Sequence, residues 1–505
     1  MASFKFEMKY KGDFIAGRFI PVTKPDGEFK DISPSDILDH VMTVPFKHEH
    51  IDEACVAANK AYSGWARLSM DERKNYLLRL KEVYNANADQ MAEVIARDTG
   101  KPLWEAMTEA KALGAKIDIT LNHSLKLIAD ERVENALPEV EGVIRYRSRG
   151  VMAVVGPFNF PAHLPNGHII PALIAGNTVV FKPSEQTPAV GQFMAELFEK
   201  AEFPEGVFNL VQGDGAAGGR LVAHELVDGI LFTGSYEVGL KIKQETMTHY
   251  WKLLALEMGG KNATVVWEDA DLDKAVYESL VGSYMTAGQR CSCTSRIILH
   301  PKIADQFMDR FYKAAKQLSI GHWTENTFMG PLINEAAVEK YIRFQEIANR
   351  ENCESLMRGK LLDLKHKGFY VTPSIHLVNK FDPRSVYQKS EIFGPNVAVY
   401  TTDDWNHAME IVNSAGYGLV MALFSKNEEL YKDALFQARV GLLNWNRTTN
   451  GSSSKLPFGG FGKSGNDRPS AHFAIQYCTM PVASLEDFTG FDASKVLPGM
   501  NLGKV

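Results

Sequence analysis

Hydrophobic positions along this chain change period several times, and the changes mark its organisation. Residues 1 to about 50 are mixed and interrupted by Pro21, Pro25-Asp26-Gly27 and Pro34, so no long element is expected there. From His50 apolar residues recur at helical spacing over Ile51–Trp65, Met70–Asn87 and Met91–Arg97, with Asp71 and Asp89 as cap candidates. Thr99-Gly100-Lys101-Pro102 stops that series, and a further helical segment is expected from Leu103 to about Ile128. Glu139–Arg149 then alternates, as an exposed hairpin arm does, and must cover its apolar side with something, a second subunit being one candidate.

The middle of the chain is regular. Five short apolar runs, Val151–Val155, Asn177–Phe181, Val207–Val211, Gly229–Phe232 and Lys252–Leu256, alternate with helical segments. Runs that are apolar on every position belong to strands covered on both faces, so the pattern predicts a doubly wound parallel sheet. After Ala263 a second α/β alternation begins with Val265–Trp267, continues through Arg296–Leu299 and Val397–Tyr400, and ends near Gly441–Trp445. The expected fold class is therefore α/β, with doubly wound parallel sheets in two domains and a small β arm. The tail after Pro481 is extended and polar, suited to pairing with the 139–149 arm.

Composition narrows the picture rather than changing it. At 505 residues the chain exceeds one core, and 45% apolar with 23% charged residues is ordinary for a soluble globular protein. A net charge of −6 gives no electrostatic footprint for nucleic acid or anionic membrane. The start of the chain shows no apolar leader core, and no apolar run approaches membrane-spanning length. Five scattered cysteines (Cys55, Cys291, Cys293, Cys353, Cys478) form neither a disulfide framework nor a zinc spacing, so no metal is expected and a reducing cytoplasm is.

Four places hold candidate chemistry. Cys291 follows Gly288-Gln289-Arg290, between a helical segment at 271–285 and a strand at 295–300. A free thiol titrates near about 8.5, so a nucleophile there needs help, and Arg290 is the adjacent cation. The other reading is a small buried hydrophobe. Glu257, at a strand end before Gly259-Gly260, is either a general base or an ion-pair partner, and Asn159 is either an oxyanion donor or a turn residue. Gly213-Asp214-Gly215-Ala216-Ala217-Gly218 matches a dinucleotide-binding fingerprint in a strand-to-helix context, yet serves equally as a Gly-rich turn. Lys182-Pro183-Ser184-Glu185 offers a carboxylate that accepts from both hydroxyls of a ribose and repels a 2′-phosphate. Cys291 with Cys293 also admits a redox-sensing pair, which as a disulfide would be strained.

Seven segments occur in one order: Gly156–Phe160, Lys182–Glu185, Phe232–Ser235, Leu256–Lys261, Gly288–Cys291, Glu391–Pro395 and Pro457–Gly460. The series resembles the motifs of the NAD(P)-dependent aldehyde dehydrogenase superfamily over nearly the whole chain. The resemblance implies that Cys291 attacks an aldehyde, that Asn159 and the Cys291 backbone N–H form the oxyanion hole, and that Glu257 activates the hydrolytic water. It implies NAD as cofactor, with Lys182 and Glu185 at the adenosine ribose and Gly213, Gly234, Ser235, Val238 and Gly239 along the adenine and pyrophosphate. Pro157, Phe158 and Ser184 join that set, while Glu391 and Phe393 meet the nicotinamide ribose and ring. Residues 1–129 with 150–256 would bind NAD, 257–445 would be catalytic, and 130–149 with 480–505 would form an oligomerisation arm, giving a homodimer or homotetramer.

Within that superfamily, Trp65–Ser69, His163–Pro171, Thr286–Cys293, Asn444–Asn446, Gly465–Ser470 and Pro481–Glu486 are most similar to the bacterial branch that oxidises an N-acylated glutamate semialdehyde in arginine breakdown. The semialdehyde of succinate or of glutamate is the alternative. An acidic substrate needs cations and hydroxyls at the pocket mouth, and Arg290 and Ser453 are the residues favoured for that role.

Overall fold

The apolar runs of the middle region become strands because each can bury both of its faces. Val151, Met152, Ala153 and Val154 are fully buried, as are Val179, Val180 and Phe181 in the next strand. The computed structural model describes residues 8–466, 468–500 and 502. Residues 1–7, where a leader core is not expected, Asp467, inside the 465–470 motif, and residues 501 and 503–505, at the end of the expected 480–505 arm, lie outside them.

Two seven-stranded sheets dominate. The first runs Leu253–Glu257, Gly229–Thr233, Val151–Val155, Thr178–Lys182, Phe208–Leu210, and then Asp13–Ile15 and Arg18–Ile20. The first five of these strands are parallel; the N-terminal pair adds on antiparallel through Phe14 opposite Leu210. That pair was not expected from the turn-rich start, because three-residue strands carry too little alternation to show. Successive connections leave Val151–Val155 in opposite directions, so the sheet has a topological switch point beside it. The second sheet runs Glu354–Met357, Ser374–Leu377, Asn396–Thr401, Thr294–Leu299, Asn262–Val266, Val420–Phe424 and Leu442–Trp445, parallel except at its first pair. Separate apolar clusters pack the two sheets.

A third, three-stranded sheet joins Glu131–Leu137, Val140–Ser148 and Thr479–Glu486, all antiparallel. The tail thus pairs with the arm along eight residues, from Thr479 opposite Ser148 to Glu486 opposite Glu141.

Three helix expectations need correction. Ser69, not Asp71, caps helix Met70–Ala86, in a capping box with Glu72, and Asn87, not Asp89, precedes helix Ala88–Thr99. Both aspartates sit in first turns, where they complement the helix dipole. The segment expected to run to Ile128 ends as helix Leu103–Asn122, followed by a 3-10 turn at Ser124–Ile128.

Candidate active site

Every parallel strand of the first sheet ends at the same edge, and the turns leaving those ends build one cleft. Its volume is about 740 Å³, and Gly156–Asn159, Lys182, Ser184–Glu185, Thr233–Ser235 and Glu257 line it from the first sheet. Cys291, Glu391–Phe393 and Lys340 line it from the second. Of the seventeen residues expected to act, Pro157, Phe158, Asn159, Lys182, Ser184, Glu185, Gly234, Ser235, Val238, Glu257, Cys291, Glu391 and Phe393 share this one cleft.

Cys291 is held on an unusual turn. Helix Leu272–Tyr284, capped by Asp271, is followed by Thr286, Ala287 and Gly288, all left-handed with φ of 57°, 52° and 71°. Two non-glycine residues there, one of them β-branched, are strained, at about 1–3 kcal/mol each. A Cβ on Gly288 would run into the Gly394–Pro395 backbone, which fixes the turn against the segment bearing Glu391 and Phe393. Asn262, at the start of its strand, donates from Nδ2 to the carbonyls of Cys291 (2.6 Å) and Cys293 (2.9 Å). The loop is therefore clamped on both sides of the thiol.

Cys291 is half-buried, whereas Cys293 is buried beneath Met285 and Asn450. Enclosure raises the Cys291 thiol well above its ordinary range, and the charges of Glu257 and Glu391 and a hydrogen bond to Glu257 add to the shift. Arg290 does not appear among those causes; its charge acts on Cys293, whose burial still pushes it up to about 11. The expected help from Arg290 to Cys291 is thus corrected: its guanidinium donates to Glu105 (2.8 Å) and Thr286 (2.7 Å) instead.

Glu257 ends strand Leu253–Glu257 and is 1% exposed. Burial, reinforced by Glu391, pushes its carboxyl up to about 8, and its Oε1 atom has no hydrogen-bond partner. A carboxyl with that pKa holds and releases a proton near neutral pH, as a general base must. Glu391 accepts from the Gly260 N–H at 2.8 Å, and burial pushes it up to about 7. Gly259 has φ of 85°, and any side chain there would overlap the Glu391 carboxylate. Asn159 is buried and donates from Nδ2 to the Gln289 carbonyl at 2.9 Å.

The other end of the cleft suits a dinucleotide. Gly215 and Gly219 face open space, so bare backbone is presented at the start of helix Gly215–Ala223, which Asp214 caps. Val222, Val238 and Ile242 give an apolar wall between that helix and Tyr236–Glu245, the kind of surface a flat base packs against. Lys182, buried, reaches the Pro183 carbonyl at 3.0 Å and lies 3.7 Å from exposed Glu185. Phe158 and Phe393 meet edge-to-face with centroids 5.8 Å apart.

Four expected residues lie off the cleft lining. Gly213 sits behind it, where a Cβ would meet Ala217, and Gly239 packs on Met258. Arg290 is tied to Glu105, and Ser453 is exposed in the loop before Pro457. The sequence reading missed Asp214, Lys340 and Asn334 in the lining. The last two belong to helix Glu335–Arg350 and its Asn334 cap, whose Val338, Tyr341, Phe344 and Gln345 spacing carried the signal.

The fold and the cleft together define a two-sheet α/β dehydrogenase. The sequence profile described as the aldehyde dehydrogenase family matches residues 22–482, and the chain belongs to that family. It is similar to the N-succinylglutamate 5-semialdehyde dehydrogenase of Legionella pneumophila (strain Paris), 39% identical across 90% of this chain and 91% of that one. The protein of the same name from Paraburkholderia xenovorans (strain LB400) is 39% identical across 90% and 92%. Among solved structures, an NAD-dependent aldehyde dehydrogenase from Sinorhizobium meliloti superposes with a TM-score of 0.91, at 26% identity and 98% coverage of both chains. A Thermus 1-pyrroline-5-carboxylate dehydrogenase with bound NAD gives 0.89, at 29% identity over 96% of this chain and 94% of that one.

Proposed function

We propose that this chain oxidises N-succinyl-L-glutamate 5-semialdehyde to N-succinyl-L-glutamate with NAD, a step of arginine catabolism. The observation that carries the chemistry is the pairing of Cys291 with Glu257 in one cleft, a thiol and a carboxyl of raised pKa in direct contact. The relatives of that name, similar along nine-tenths of the chain, carry the substrate.

In this reading Glu257 takes the Cys291 proton, and the thiolate adds to the aldehyde carbon, giving a thiohemiacetal on Sγ. The Asn159 amide and the Cys291 N–H steady the oxyanion. NAD held in this cleft would supply the acceptor for the hydride that leaves the thiohemiacetal carbon, with Glu391 and Phe393 placing its nicotinamide end. Glu257 next passes that proton to solvent and draws another from a water whose oxygen attacks the thioester; the carboxylate product leaves, and the Cys291 thiolate takes a proton back from Glu257. Lys182, Ser184 and Glu185 orient the adenosine ribose, and Gly234, Ser235 and Val238 border the adenine and pyrophosphate. Gly213 and Gly239 serve by shaping the turns behind that wall. The first sheet with residues 1–129 and 150–256 acts as the NAD-binding unit, and 257–445 as the catalytic unit.

The three-stranded arm supports a homodimer or homotetramer, since Val133, Leu137, Met480, Val482 and Leu485 are exposed apolar side chains on it. No helix among the described residues is long and apolar enough to cross a membrane, in keeping with a cytoplasmic enzyme.

Assaying N-succinylglutamate 5-semialdehyde against the semialdehydes of succinate and glutamate, with NAD, tests the substrate. The reading requires the highest kcat/KM for the succinylated compound; a preference for either smaller aldehyde rejects it.

A further inference from the structure

Helix Leu103–Asn122 contributes nothing to the lining of the cleft, yet it touches both loops that carry its chemistry. Glu105 and Glu109, one turn apart on one face, are 0% and 2% exposed. Glu105 Oε1 accepts from Arg290 Nη2 at 2.8 Å and from the Thr286 hydroxyl, while Arg290 Nε donates to that hydroxyl oxygen at 2.7 Å. Thr286 opens the left-handed turn, and Arg290 precedes Cys291. Glu109 Oε2 accepts from Lys101 Nζ at 2.7 Å, and its Oε1 accepts from the backbone N–H groups of Ala162 and His163, both at 3.0 Å. Those two residues follow the Asn159 loop. Phe160 ties the halves together: the Arg290 guanidinium lies 4.8 Å and Lys101 Nζ 3.9 Å from its ring centroid.

We propose that Glu105 is a positioning residue for the reaction: it clamps the strained Thr286–Arg290 turn that aims the Cys291 thiol, while Glu109 holds the Asn159 loop from the same helix. The physical case is the strain. Thr286 and Ala287 stay left-handed only if something over-determines them. A buried carboxylate bonded to the first side chain of the turn and to the last before the thiol does so. Both carboxylates project from one rigid helix, so a single element bears on the placement of both the thiol and the amide. A misplacement of about 1 Å between such groups costs on the order of 100-fold in rate.

This inference rests on Cys291 being the nucleophile, so its test includes Cys291→Ser. The variants are Glu105→Gln, Glu105→Ala, Arg290→Met and Glu105→Gln with Arg290→Met, in the full-length enzyme. Each is measured for kcat per folded molecule, for KM of NAD, and for the rate at which iodoacetamide alkylates Cys291, followed by peptide mass. The expected result is a kcat loss of about 10- to 100-fold in Glu105→Ala, a smaller loss in Glu105→Gln, which keeps an acceptor for Thr286, and an unchanged KM for NAD. The double variant should be no worse than the poorer single one, because both break one clamp. The alkylation rate should shift in step with kcat. If kcat and alkylation per folded molecule stay within about twofold of the parent while only Tm falls, Glu105 merely stabilises the fold and the proposal is overturned. Should Glu105→Ala not fold, the Gln and Arg290 variants decide on the same readouts. Turnover surviving in Cys291→Ser overturns the nucleophile reading itself; an inert Cys291→Ser beside unimpaired Glu105 variants overturns the clamp alone.

Discussion

The amide of Asn159 donates to the backbone carbonyl of Gln289 at 2.9 Å, bonding the loop after strand Val151–Val155 of the first sheet to the loop that carries Cys291. One N–H of the amide is thereby fixed in direction, which leaves the other for a substrate oxygen. Asn159→Ala should lower kcat by about 100- to 1000-fold, the usual loss for one oxyanion donor, with NAD binding intact. Steady-state kinetics beside a fluorescence titration of NADH check this, and a loss confined to NADH affinity would contradict it.

Glu257 gives a pH signature. Its folded pKa, about 8, lies above its ordinary value of 4.5. The stability tied to its proton is therefore fully present below about 4.5 and is lost as pH rises through about 8. Glu257→Gln removes that loss. Its Tm relative to the parent should be higher at about pH 9 than at about pH 6, while turnover collapses at both. Thermal melts in the two buffers decide; an equal Tm difference at both pH values would show that the carboxyl is not held protonated by the fold.

Much of this arrangement was legible in the sequence, and the reasons differ by residue. Strands such as Val151–Val155 could be read because burial on both faces writes an unbroken apolar run. Glu257 and Asn159 sit in short motifs at or just after strand ends of the first sheet, so their meeting at one sheet edge followed from the topology, whereas Cys291 enters on the loop before strand Thr294–Leu299 of the second sheet. Strands Asp13–Ile15 and Arg18–Ile20 are held by pairing rather than by their own periodicity, and could not be read. Arg290 misled because a neighbour in sequence is not a neighbour of the sulfur: its side chain turns to Glu105, 185 positions earlier. Asn262 gave no signal at all, since a strand-leading Asn looks like any other until its two carbonyl partners are placed.

Asn262 therefore supplies a third expectation. Replacing it by Ala leaves the carbonyls of Cys291 and Cys293 without their donor, and each unsatisfied buried group costs about 1–3 kcal/mol. Asn262→Ala should lose stability on that order in urea and lose kcat as the thiol loop relaxes. Unchanged kcat at reduced stability would place the loop's rigidity elsewhere.

In the proposed reading cofactor choice turns on Glu185, exposed at the cleft and 3.7 Å from Lys182 Nζ. A carboxylate there repels a 2′-phosphate, so the parent should favour NAD. Glu185→Gln should raise kcat/KM with NADP by about tenfold, the equivalent of about 1.4 kcal/mol, as repulsion is removed. Paired assays with both cofactors read the ratio, and an unaltered ratio would remove Glu185 from the ribose site.

Cys291, not Cys293, is the sulfur expected to become acylated. The parent enzyme, mixed with N-succinylglutamate 5-semialdehyde and NAD, quenched in acid within the first turnover and fragmented by tandem mass spectrometry, should carry the succinylglutamyl mass as a thioester on Cys291, with Cys293 free. An adduct on Cys293, or none on either thiol while NADH is still formed, would contradict it.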